Sequence, residues 1–196
     1  MTKSQADVVR TALEILDERG VGAVSLRAIA QRLDVRMNTV LWHVKTKARL
    51  EELMADAIVA EVSLTGLPDD WRERVVEIAR RYRGALLAHR DGAVVVAGTY
   101  AAEPATLDVA EAVVAALLEG GLSERDAAWT LWDVVYFVLG LTQEEQALPG
   151  RSADGLVVGE RPALRRVLPV LTEESFDERF EFGLAKLVPP SGHRRP

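Results

Sequence analysis

The stretch from residue 26 to residue 44, LRAIAQRLDVRMNTVLWHV, has the residue types and spacing that could do chemistry. Ala28, Ile29 and Leu33 make the apolar side of one short helix, and Val40 with Leu41 that of another. Asp34-Val35-Arg36 joins them, with Val35 as the apolar plug of the turn. This is helix-turn-helix spacing. The outward side of the second helix offers Arg36, Met37, Asn38, Thr39, Trp42 and His43. Small polar and cationic groups on one face suit phosphates and base edges. Between positions 27 and 49 there are six basic side chains and one acid, Asp34.

Whole-chain charge conceals this asymmetry. The net charge is −6. Residues 1–50 hold nine Lys/Arg and five Asp/Glu, net +4, which leaves 15 basic and 25 acidic residues elsewhere, net −10. A basic end on an acidic body points to an anionic partner at that end only. A solvated charged face is the competing explanation of the charge taken alone.

Enzyme chemistry finds little support. The three histidines are His43, His89 and His193. No Glu-x-x-His pair, His-Glu-x-x-His, nucleophile elbow or Walker-type loop occurs. Ser63, Ser123 and Ser152 have no His–acid partners in evident spacing. His89-Arg90-Asp91 reads as a helix C-terminus with cations near the last carbonyls. The absence of cysteine excludes a disulfide framework, thiolate-bound zinc and thiol chemistry. The expectation is a protein that is not an enzyme and carries no cofactor or metal. The start resembles no signal peptide, and the apolar run at 134–141 falls short of the roughly 20 residues of a membrane helix, so a cytoplasmic protein is expected.

The elements that must position the motif read as helices throughout. Residues 6–19 place Val9, Ala12, Leu13 and Leu16 on one stripe, and Gly20 stops it. Ser25 caps 26–33. Residues 47–62 carry Leu50, Leu53, Met54, Ala57 and Ile58 inward. Asp69 or Asp70 caps 71–89. Residues 94–100 are rich in β-branched side chains, but their helical neighbours offer no strand partner, so a short helix is expected. Pro104 opens 104–119 and Gly120-Gly121 closes it. Ser123 and Asp126 start a helix to about Gln146 that is apolar nearly all round, with Trp129, Trp132, Tyr136 and Phe137. Such a helix needs burial on every side, which a subunit interface supplies. A loop is expected over 148–162. Thr172 then caps 173–187, where Phe176, Phe180, Leu184 and Leu187 form a stripe. The expected class is all-α, with a helix-turn-helix domain over 1–47, a helical effector and dimerisation domain over 48–188, and a tail over 189–196.

TALEILDERGVGAVSLRAIAQRLDV (11–35) followed by TVLWHVKTKARL (39–50) resembles the DNA-binding domain of the tetracycline-repressor (TetR) family. WHVKTK, residues 42–47, is the most specific part. LLAHRDGAVVVAGTY (86–100) and GLSERDAAWTLWDVVYFVLGLTQEEQ (121–146) resemble that family's effector-binding and dimer helices, and PALRRVL and FEFGLAKL extend the likeness to about Leu187. The resemblance implies a homodimeric repressor on a palindromic operator of double-stranded DNA, released by a small molecule. It implies that Arg27 reads a base, that Met37, Asn38 and Thr39 face base edges and backbone, and that Trp42, His43 and Lys47 hold phosphates. Leu41 departs from the family's tyrosine, and Met37 from its amide. Methionine can touch a thymine methyl but cannot pair bidentately with adenine, so a different operator is expected.

The effector side departs further. Val96 stands where the drug–magnesium binders carry a metal-binding histidine, Ile78 and Ser63 where they carry an amide and a histidine, and Tyr100 where they carry an arginine. Thr99 and Glu144 keep the family types. The resemblance therefore implies an apolar effector, held without metal near Ile78, Tyr82, Val96, Thr99, Tyr100, Val113, Leu131, Trp132 and Val135. Plain core packing is the competing role of each of these residues. A constitutive DNA-binding regulator is the second reading, and a helical-bundle enzyme a distant third.

Overall fold

The computed structural model describes residues 3–99, 102–147, 157–172 and 175–188, and its regular elements are ten α-helices and one 3-10 turn. The first, α1 (Gln5–Arg19), starts in a capping box: Ser4 accepts from Asp7 N–H, and Asp7 accepts from Ser4 N–H at 2.9 Å. Gly20 ends it at φ +80°. An L side chain is strained at that φ, and a Cβ there would also stand 2.8 Å from Asp91 Oδ2, so glycine suits this corner.

After a 3-10 turn (Val21–Ala23) come α2 (Leu26–Arg32), capped by Ser25, and α3 (Met37–Val44). Eight residues are too few for a helix to persist alone. Burial of Val40 and Val44 in the core, with α3 packed on α1 and α2, holds α3 in place. Lys45, at φ +63°, terminates it, and the Thr46 hydroxyl accepts from Arg49 N–H to start α4 (Lys47–Val59). So α4 ends three residues earlier than expected, although Val62 is still buried.

The body is built on α5 (Trp71–Ala88), which Asp70 caps by accepting from the Arg72 and Glu73 N–H groups at 2.9 Å each. Next come α6 (Gly92–Ala97), α7 (Pro104–Glu119), α8 (Glu124–Ala147), α9 (Pro162–Leu171) and α10 (Phe176–Leu187). The apolar segment after Asp91 is helix, as expected, but begins at Gly92 and ends before Thr99. α5 packs on α6, α7 and α8; α4 packs on α6 and α7; α10 packs on α8. At the last of these contacts a Cβ on Gly183 would stand 2.1 Å from Phe137 Cζ, which sets how close the two helices come. Arg83 ties α5 to both, pairing with Glu145 at 2.8 Å and Asp177 at 2.6 Å.

As expected of a helix that one chain cannot bury on every side, α8 buries Ala127, Val134, Val138 and Thr142 and leaves Trp129, Trp132 and Tyr136 exposed. One expectation is corrected. The C-terminal region holds two helices. Thr172 ends α9, its hydroxyl donating to Leu168 O at 2.9 Å, and Ser175 caps α10. None of the residues of α9 is buried. The tail over 189–196 lies outside the described residues.

Candidate nucleic-acid interface and effector region

The outward side of α3 is open. Met37, Asn38 and Thr39 are exposed in its first turn, and Arg36 is exposed at its N-cap. Arg27 is exposed in the first turn of α2. Trp42 is 71% exposed, far from the ordinary state of a large aromatic. His43 meets it edge-on, with ring centroids 4.9 Å apart, and Lys45 Nζ lies 5.6 Å from its centroid. Lys47 is exposed and pairs loosely with Glu51 at 3.3 Å. Gln5 Nε2 donates to His43 O at 2.9 Å, fixing the last turn of α3 to α1. An exposed indole between the His43 ring and the Lys45 ammonium offers an apolar plate and charge together, which suits a sugar–phosphate strand. Lys45 and Gln5 escaped the sequence reading. The basic residue in WHVK was a signal for the first, but a contact between residues 5 and 43 has none.

Downstream of this head, residues 65–189 match the family described as tetracyclin repressor-like, C-terminal domain. The chain belongs to the tetracycline-repressor (TetR) family of transcriptional regulators. It is 37% identical to the class A tetracycline repressor protein of Escherichia coli transposon 1721, over the whole chain and 94% of that protein. A possible TetR-family regulator from Streptomyces coelicolor A3(2) is 39% identical, with a TM-score of 0.84 over 94% of this chain and 97% of that one. ActR of Streptomyces coelicolor, solved in complex with actinorhodin, is 29% identical, with a TM-score of 0.86 over 96% of each chain.

The expected effector residues fall on helices that pack together. Ile78 and Tyr82 on α5 and Val113 on α7 are buried. Burial pushes the Tyr82 phenol well above its ordinary range. Val96, at the end of α6, and Thr99, just beyond it, are half-buried, as are Leu131 and Val135 on α8. Trp132 stands apart from them. It is 37% exposed and stacks on the exposed Tyr136, with centroids 5.3 Å apart, on the open face of α8. Tyr100 lies outside the described residues.

This donor set does not fit a TetR-type drug–magnesium chelate. Val96 offers no lone pair. The Thr99 hydroxyl donates to Val96 O at 3.0 Å, and Glu144 is exposed. A hard divalent ion needs several oxygen ligands converging on one point.

Proposed function

We propose that this regulator is a homodimeric repressor that holds a palindromic operator through α2 and α3 and is released by a small organic molecule of low polarity, without metal. The open face of α3, with exposed Trp42 among His43, Lys45 and Lys47, is the observation that carries the DNA-binding half. Arg27, Arg36, Met37, Asn38 and Thr39 are assigned to base edges and adjacent phosphates; Trp42, His43 and Lys47 to the backbone. The reading head spans 1–47 and the body 48–188, acting in the cytoplasm.

The second half rests on Ile78, Tyr82, Val96, Val113, Leu131 and Val135, an apolar set drawn from four helices that pack together. Thr99 and Tyr100 flank this set, and Trp132 belongs to the subunit face. The dimer forms on α8 and α10, whose exposed Trp129, Trp132, Tyr136 and Phe182 need a cover, and buries on the order of 2,000 Å² or more. An effector that binds the DNA-free arrangement better must, by linkage, be bound less tightly on operator.

The test begins by selecting an operator from a random duplex pool with the purified protein. Operator-bound protein is then titrated with hydrophobic polycyclic aromatics and, separately, with tetracycline plus magnesium. Release by an aromatic, unaffected by EDTA and weakened by Val96→Asp, supports the reading. Release by the magnesium chelate alone, abolished by EDTA, overturns the metal-free effector, and operator binding that no compound disturbs makes the protein a constitutive regulator.

A further inference from the structure

α7 does not cap its own N-terminus. Its N-cap residue, Glu103, makes no side-chain bond to the helix. That carboxylate is committed elsewhere: both its oxygens accept from Arg49 of α4, one of them from Nη2 at 3.0 Å. The N–H groups left over at the start of α7 are taken by a second residue of α4. Asp56 accepts from Thr106 N–H at 2.8 Å, from Thr106 Oγ1 at 2.9 Å and from Ala105 N–H at 3.5 Å. α4 therefore supplies the cap of α7, and α7 supplies the counter-charge of α4.

Arg49 and Asp56 lie seven residues apart, so they share one face of α4, about two turns and roughly 10 Å from one another. A helix held at one point can pivot, whereas a helix held at two points along its axis has its direction fixed. Arg49 sits in the first turn of α4, four residues after Lys45, where the recognition helix ends. The start of α7 is thus fastened close to the reading head and again further along the same helix.

We infer that Arg49, Asp56, Glu103 and Thr106 are positioning residues that set the tilt of α4 and so the separation at which two heads read two half-sites. The inference rests on the dimeric operator-binding reading above. Half-sites lie about one helical turn apart, roughly 34–36 Å, so a few degrees at α4 moves each head by a large part of a base-pair step. Arg49 also pairs with Glu52 at 2.9 Å, so loss of Glu103 leaves its charge in place and frees it to change generic affinity. The quantity that reports the tilt is the ratio of affinities between spacings, from which a uniform change cancels.

The test uses the full-length dimer and duplexes carrying the selected half-sites at the selected spacing and at one and two base pairs more or fewer. Wild type discriminates between spacings by about tenfold or more. Glu103→Gln and Asp56→Ala each flatten that ratio by about threefold, and together by more. Arg74→Gln, which cuts the Arg74–Glu119 pair at the other end of α7, serves as the control for simple loosening and leaves the ratio unchanged. An unchanged spacing profile in the double variant overturns the inference and leaves the repressor reading standing. Equal flattening by Arg74→Gln also overturns it, because it reduces the effect to general destabilisation. A wild-type protein that enriches no duplex removes the repressor reading and this inference together.

Discussion

His89 Nδ1 lies 3.1 Å from both carboxylate oxygens of Asp17, although 72 residues separate the two in sequence. Its Nε2 lies 3.0 Å from Glu61, just past the end of α4. One buried ring thus joins α1 of the head, the far end of α4 and the α5–α6 turn. The same turn adds Arg90 N–H, donating to Asp17 at 3.1 Å, and Asp91, accepting from Val21 N–H at 2.8 Å. His89→Ala leaves Asp17 and Glu61 facing each other without a donor between them. We expect a loss of about 1–3 kcal/mol in urea unfolding, partly recovered by adding Asp17→Asn. No loss would make the ring a spectator.

Glu103 carries a pH signature. Its hydrogen bonds to Arg49 hold the carboxyl below the usual glutamate range. A lowered carboxylate pKa contributes stability above the ordinary glutamate value, and that contribution disappears as pH falls toward the lowered one. NMR titration of Glu103 should give a midpoint below the ordinary value, and Arg49→Gln should return it there. A midpoint that ignores Arg49→Gln would mean the pair does not form in solution.

Asp34 turns the chain between α2 and α3 in the left-handed region, at φ +52°. An L-residue strains there and glycine does not, although glycine loses more entropy on folding. The balance favours Asp34→Gly by about 0.5 kcal/mol, whereas Asp34→Val should cost about 1–2 kcal/mol. Denaturation midpoints for the pair, measured at one protein concentration, decide it.

Thr142 is fully buried, and its hydroxyl has no hydrogen-bond partner among the described residues. Removing an orphaned hydroxyl while keeping the side-chain shape relieves a desolvation cost. Thr142→Val should raise stability by about 1 kcal/mol; a loss would show that the hydroxyl is satisfied in solution.

Arg27 and Lys47 should separate by kind of effect. Lys47→Ala weakens binding to every duplex by a similar factor and flattens the salt slope by about one phosphate. Arg27→Ala relaxes preference at one base pair per half-site, at about 1–3 kcal/mol. Uniform losses from both substitutions would take Arg27 away from base reading.

The motif was legible because its information is local. Ser25, Val35 and Val40 cap, plug and anchor within sixteen residues, so spacing alone placed α2 and α3. The helix α9 was missed although Leu164, Val167, Leu168 and Leu171 recur at helical spacing after Pro162. Pro169 within it, and a glycine-rich approach to it, outweighed a stripe that no other described helix buries. The ties from Arg49 to Glu103 and from Asp17 to His89 had no signal at all. Each joins acidic and basic residues common on any surface, and only the packing of α4 on α7 or of α1 on the α5–α6 turn selects the partners. An aromatic on an apolar helix reads alike whether it faces a core or a second subunit, so sequence alone does not separate Trp132 from the effector residues.

The uncovered stripe of α9 makes abundance part of this protein's thermodynamics. Val167 of that stripe is 48% exposed on one chain, and the aromatic face of α8 is open as well. If the apolar surface that completes the fold belongs to another copy, unfolding and dissociation are one event, and mass action governs both. Each tenfold dilution then removes about 1.4 kcal/mol per dimer. A cell holding few copies keeps the same sequence at a lower melting temperature than a concentrated solution does, so the level of synthesis becomes a physical variable of the fold itself.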